Sequence, residues 1–255
     1  MPTLLLVLLA LSLPFGEREP LFRLGALPLN APSFLALAAV AWSLVESLRG
    51  KIRPDSAGWA AIAWAGAWLV SSLAAPMAWE PASLTAWEMA AGPILFSCTR
   101  RQITLRSRNA LLAALGTALV VSTFLHFAGE TGVSLPGATP PLPRSAFTAY
   151  PMTGAGPGAY PGLPLWAGLW PRGGLLVALA GAFLLGTLAR GIYRLSLRRK
   201  NGPGPLPPAA LLVALILTGF FFNPLASIGP GLGFWLGMSV LLPAARGAYN
   251  VSRRA

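Results

Sequence analysis

The sequence predicts an all-α protein, a polytopic transmembrane helix bundle of about eight spans with one long outer loop. Three observations carry this expectation. Hydrophobic residues make up 55% of the chain and charged residues only 10%, with a mean hydropathy of +0.64, which is too little polar surface to cover a water-soluble globule of this length. The apolar residues gather in eight stretches that approach the roughly 17 to 25 residues a helix needs to cross a hydrocarbon core. Finally, fifteen of the 19 Lys and Arg residues fall in every second gap between those stretches, which is the signature of a fixed orientation in a bilayer.

Taken in order, the stretches are Pro2 to Phe15, Ala31 to Leu48, Ala57 to Trp79, Ala82 to Cys98, Asn109 to Phe127, Gly173 to Ile192, Ala209 to Asn223, and Gly231 to Gly247. The first and seventh are short. Pro2 to Phe15 has no Lys or Arg before it and no small-x-small cleavage pattern after it, so a retained helix is expected rather than a signal peptide. In Ala57 to Trp79 the Gly, Ala and Ser residues allow close backbone approach between neighbouring helices. The run Asn201 to Pro208, rich in Pro and Gly, reads as a hinge within a cytoplasmic loop over 193–208. No internal repeat stands out.

The basic gaps hold Arg49, Lys51 and Arg53; Arg100, Arg101, Arg106 and Arg108; Arg190, Arg194, Arg198, Arg199 and Lys200; and Arg246, Arg253 and Arg254. These face the cytoplasm under the positive-inside rule. The alternate gaps carry Arg18, Arg23, Arg144 and Arg172 with five of the seven acids, Glu17, Glu19, Glu80, Glu88 and Glu130, and face outward. Eight spans put both termini in the cytoplasm; a seven-span version with an exterior N-terminus keeps the same orientation. A bacterial inner membrane is the expected location.

In a soluble domain the net charge of +12 would suggest nucleic acid. Here the basic residues sit in short loops beside apolar spans, where anionic lipid head groups attract them, so membrane lipid is the expected partner and nucleic acid is not. With Cys98 the single cysteine and His126 the single histidine, no intramolecular disulfide, cysteine-rich cluster or multi-histidine metal site can be built. No metal and no cofactor is expected.

The long outer loop, 128–172, is interrupted by nine prolines and contains Arg144, Tyr150, Tyr160, Trp166, Trp170 and Arg172. A segment of this length without secondary structure usually has a function. Guanidinium and aromatic groups suit phosphate and sugar-ring contacts, although aromatics also float at a membrane interface. Two further residues stand out. Glu88 lies a third of the way into its apolar stretch, where a carboxylate is costly unless paired or wet; it is a candidate partner for Arg144 or Arg172, or an acid-base group, unless the span begins later. His126, at the outer end of its helix, is a candidate base. Glu46 is expected to pair with Arg49 or Arg53 in a structural role.

The stretch RSAFTAYPMTGAGPGAYPG and the apolar run after it, LPLWAGLWPRGGLLVALAGAFLLGTLARG, resemble the extracytoplasmic loop and following helix of the O-antigen ligase and polymerase superfamily. In that family an Arg precedes a Pro-x-x-Gly-x-Gly-x-Gly turn. The matching residues here are Arg144, Pro151, Gly154, Gly156, Gly158 and the aromatic Tyr160. WEPASLTAWEMAAGPILFSCTRRQ, STFLHFAGETG and FFFNPLASIGPGLGFWLGM are similar to other spans of the family, so the resemblance covers about two-thirds of the chain. It implies binding, and transfer, of a polyprenyl-diphosphate-linked glycan at the outer face. Arg144 and Arg172 would then neutralise the diphosphate, with Tyr150, Tyr160 and the three glycines framing the site and His126 and Glu88 as catalytic groups. The chain departs from the family in lacking several spans upstream of the glycine turn and in having no histidine after it. Those losses equally suit a non-catalytic membrane subunit with protein partners in the bilayer. A Cys-Arg-His transpeptidase built on Cys98, Arg108 and His126 has the topology against it, because Cys98 and His126 fall at opposite ends of successive helices, roughly 25 Å apart, far beyond the approach a nucleophile and its base require.

Overall fold

In a computed structural model of the chain, residues 2–15, 22–24, 27–49, 54–74, 79–100, 103–127, 150–156, 163–197, 206–219 and 228–242 are described. They contain eight α-helices: α1 Pro2–Ser12, α2 Ala31–Leu48, α3 Ser56–Leu73, α4 Trp79–Thr99, α5 Leu105–Phe127, α6 Leu165–Leu197, α7 Leu206–Thr218 and α8 Ile228–Leu241. A short 3-10 turn, Leu13–Phe15, extends α1. The only strands among these residues are an antiparallel pair, β1 Phe22–Leu24 and β2 Leu27–Leu29, with Phe22 opposite Leu29. In the sequence that region falls in an outer gap. Three residues per strand leave too short an alternation to stand out in a sequence.

Local chemistry starts several helices where polar residues meet apolar runs. The Asn30 side chain accepts from Ser33 N–H at the start of α2, and Asp55 accepts from Gly58 N–H at the start of α3. Before α5, Thr104 and Ser107 bond each other's backbone N–H reciprocally, so two of the donors that a helix N-terminus leaves unpaired are satisfied at once. Two proline-containing boundaries differ from expectation. Leu206, Pro207 and Pro208 form the first turn of α7 rather than a hinge; proline is tolerated there because the first-turn N–H groups have no intrahelical partner. Helix α6 starts at Leu165, well before Gly173, so Pro171 and Arg172 lie inside it.

Two apolar clusters share α4 and α8 as a common spine. One joins Trp64 and Trp68 of α3, Phe96 of α4, Leu184 and Leu188 of α6, Leu212 of α7 and Trp235 of α8. The other joins Leu6 and Leu9 of α1, Ala36 of α2, Leu95 of α4, Leu111 of α5 and Leu232 of α8. Within the first, the Trp235 ring packs at 5.4 Å from Phe96 and 5.9 Å from Trp64. Gly92 of α4 makes this possible, since a Cβ there would overlap the Trp235 indole.

Contacts also sort the helix ends. At one end Arg100, just past α4, binds both Asp55 at the start of α3 and the carbonyl of Leu242 just past α8, while Gly191 near the end of α6 lies against the Leu242 side chain. At the other end Ser71, late in α3, meets Arg172 in the first part of α6, and Gly219 after α7 accepts from Trp166 N–H. Arg100, Arg190 and Arg194, assigned from sequence to one side, thus share an end opposite the glycine turn.

The exterior is apolar. Leu119 and Phe124 on α5 are 69% and 72% exposed, and Leu179 and Phe183 on α6, Leu206, Val213 and Leu217 on α7 and Leu73 on α3 also point outward. Ser71, Ser72, Ser97, Thr99, Ser107 and Ser239 are buried instead. Two helical segments among the described residues, Arg106–Leu125 and Leu165–Leu197, are long and apolar enough to cross a membrane, with only 17% and 22% of their most apolar windows buried. The other apolar helices are shorter by that criterion.

Candidate functional site at the broken helix α6

The glycine turn and Arg172, separated in sequence, meet at an interruption of α6. Pro171 opens it by lacking an N–H, and Gly174 completes it at φ 65° and ψ −169°, outside the helical basin. Against this break lies the segment Pro151–Gly156. Ala155 N–H donates to Pro171 O at 2.8 Å and Gly156 N–H to Arg172 O at 2.9 Å; in return Leu175 N–H donates to Pro151 O at 2.9 Å and Leu176 N–H to Met152 O at 3.2 Å. Gly154 N–H closes the turn on Tyr150 O at 2.8 Å.

Glycine is required on both sides of this seam. Gly154 and Gly174 have φ of 69° and 65°, where a Cβ is penalised. They also touch backbone to backbone: a Cβ on Gly154 would overlap the Arg172 carbonyl, and one on Gly174 would overlap that of Met152. Gly156, at φ 107°, continues the same path. Ser71 stitches the two segments together, its Oγ lying 2.6 Å from Thr153 O and 3.0 Å from Arg172 O.

The Arg172 side chain turns back along the first part of α6. It is 6% exposed, donates from one terminal nitrogen to Leu163 O at 3.2 Å, and lies over Gly168, where a Cβ would stand 3.0 Å from the guanidinium. The two parts of α6 face each other across an apolar cleft, Leu165, Trp166 and Leu169 from the part before the break and Leu184, Leu185 and Leu188 from the part after it, with Trp64 and Trp235 as further walls. Its free volume is about 20 Å³, room for little more than one water. Trp166 Nε1 is committed to Ile216 O at 2.7 Å, whereas Trp64 Nε1 has no acceptor among the described residues. A cation beside an apolar channel can hold an amphiphile with an anionic head.

Of the residues singled out from sequence, Arg172, Gly154 and Gly156 come together here. Tyr150 joins through its backbone carbonyl while its side chain is exposed. Arg144, Tyr160 and Gly158 lie outside the described residues. Glu88 sits in the middle of α4 and His126 at the end of α5, but their side chains fall outside what is described. Helix α5 belongs to the α1 and α2 half of the bundle and α6 to the α3 half. Glu46 pairs with Arg49 at 3.2 Å, as expected. Ser71 was missed, because one serine in a stretch of Ala, Gly and Ser reads as a packing residue. Among the described residues no group of His, Cys, Asp or Glu is arranged to hold a metal.

In comparison with known proteins, no family model, no curated protein and no solved structure matches this chain.

Proposed function

We propose that this chain is an integral membrane protein of about eight spans, set in a bacterial inner membrane with its basic end and both termini in the cytoplasm. Its outer end binds a polyprenyl-diphosphate-linked glycan in the manner of an O-antigen ligase relative. The observation that supports this reading is the buried Arg172 in the first part of α6, the same part whose Leu165, Trp166 and Leu169 line an apolar cleft. A guanidinium stays protonated and offers several donors to phosphate oxygens, and an isoprenoid tail would enter by parting the apolar walls of the cleft. Arg144, Tyr160 and Gly158 complete the binding site in this proposal, and transfer of the glycan would use His126 and Glu88 as acid-base groups.

The test uses the purified full chain in nanodiscs with a polyprenyl diphosphate and the matching uncharged polyprenol as probes. Arg172→Gln is expected to weaken the diphosphate about tenfold, from loss of a charge-assisted bond, and to leave polyprenol affinity unchanged. A thermal melt separates unfolding from loss of the ligand contact, and Arg172→Lys, which keeps the charge, should recover part of the affinity. Equal diphosphate affinity in parent and Arg172→Gln removes the reading.

A second reading, a non-catalytic subunit of a larger complex, is favoured by one observation: Gly154, Ala155 and Gly156 have their N–H groups engaged within the turn and α6. Co-purification of stoichiometric membrane polypeptides, with no lipid-linked glycan turnover by the chain alone, would support it.

A further inference from the structure

In an unbroken α6, Leu175 N–H would donate to Pro171 O and Leu176 N–H to Arg172 O, each four residues back. These are the groups that the Pro151–Gly156 turn occupies: it donates to the two carbonyls from Ala155 and Gly156 and accepts from the two N–H groups at Pro151 and Met152. The turn therefore stands in for two missing helical hydrogen bonds. If it withdraws, the four groups it leaves in α6 pair with one another once Gly174 rotates into the helical basin.

We propose that Pro151–Gly156 is an exchangeable insert and that α6 is a two-state element, broken with the turn in place and continuous with the turn released. In apolar surroundings backbone groups must be paired, and both states satisfy this for α6. The released turn is at the periphery, where Tyr150, Pro151 and Met152 are already exposed, so water can take its groups. Ser71, bridging Thr153 O and Arg172 O, is the clamp on the broken state. Exchange swings the part of α6 before Gly174 away from Leu184, Leu185 and Leu188, with which it walls the cleft; that part carries Arg172 and, through Trp166, holds Gly219 after α7 and Ile216 within it. This inference does not depend on which ligand, if any, the site takes.

Hydrogen exchange of the full chain in nanodiscs, read by mass spectrometry, tests it. Gly174→Ala penalises the φ of 65° and adds a Cβ against Met152, so it favours the continuous state. Ala155 and Gly156 amides should then exchange at least about tenfold faster while Leu175 and Leu176 stay as protected as in the parent, having regained helical partners. Acceleration of both sets together means simple local unfolding, and no change in either means a fixed seam; each overturns the proposal. Should Gly174→Ala not fold, Ser71→Ala is read by the same pair of amide sets, with the same two outcomes overturning the exchange.

Discussion

Arg100 shows how much a single side chain can organise at the basic end of the bundle. It is 7% exposed, donates from Nε to Leu242 O at 2.8 Å, pairs with Asp55 at 3.0 Å and lies 4.7 Å above the Phe96 ring. Asp55 meanwhile holds Gly58 N–H, so one ion pair caps the start of α3 and takes up a carbonyl at the end of α8. Removing one partner of such a pair leaves an uncompensated charge, whereas removing both comes closer to neutral. Asp55→Ala is therefore expected to lose about 3 to 5 kcal/mol, and Asp55→Ala combined with Arg100→Met to lose less than the two single variants summed. Thermal or steric-trapping unfolding in a bilayer mimic measures both. Strict additivity would mean that the pair contributes no coupling.

At the scale of elements, the spine of α4 and α8 depends on Gly92 leaving room for Trp235. Gly92→Ala should cost about 1 to 3 kcal/mol by overpacking, and Trp235→Leu in the same chain should relieve part of that cost, which paired unfolding measurements would reveal. No relief would place the damage in α4 itself. The eight apolar stretches were legible because each helix has an apolar run long enough to outweigh its ends. Helix boundaries were less so. Pro171, Gly173 and Gly174 carry the local chemistry of a helix start, yet α6 begins earlier and merely breaks there, because a segment distant in sequence satisfies the groups that the break exposes. Pro207 and Pro208 look like a hinge until their place in the first turn of α7 is known. The site was legible in Arg172, Gly154 and Gly156, whose residue types are distinctive. It was not legible in Ser71 or in the backbone role of Tyr150, since neither a seam between distant backbones nor the choice of carbonyl leaves a mark in a single sequence.

For the whole molecule, the described surface is apolar as well as the interior, unlike a protein in water. Large apolar side chains ring the outside while serine, threonine and the Arg100–Asp55 pair lie within. A water-soluble monomer seldom carries contiguous apolar patches of this extent; a hydrocarbon solvent imposes no penalty on them. Helix direction adds a second constraint. Since Arg100, Arg190 and Arg194 gather at one end and the Pro151–Gly156 turn at the other, a bilayer around the bundle would separate them, and in the proposed orientation the charge bias of insertion would hold the basic end in the cytoplasm. In a Cys98→Ser background, Tyr150→Cys and Arg194→Cys place single thiols at exposed positions of the two ends. A membrane-impermeant maleimide added to intact spheroplasts should label Tyr150→Cys at once and Arg194→Cys only after permeabilisation. Equal labelling of both before permeabilisation would put the turn and the arginines on one side of the membrane or leave the chain outside it, and the outer glycan site would lose its physical basis.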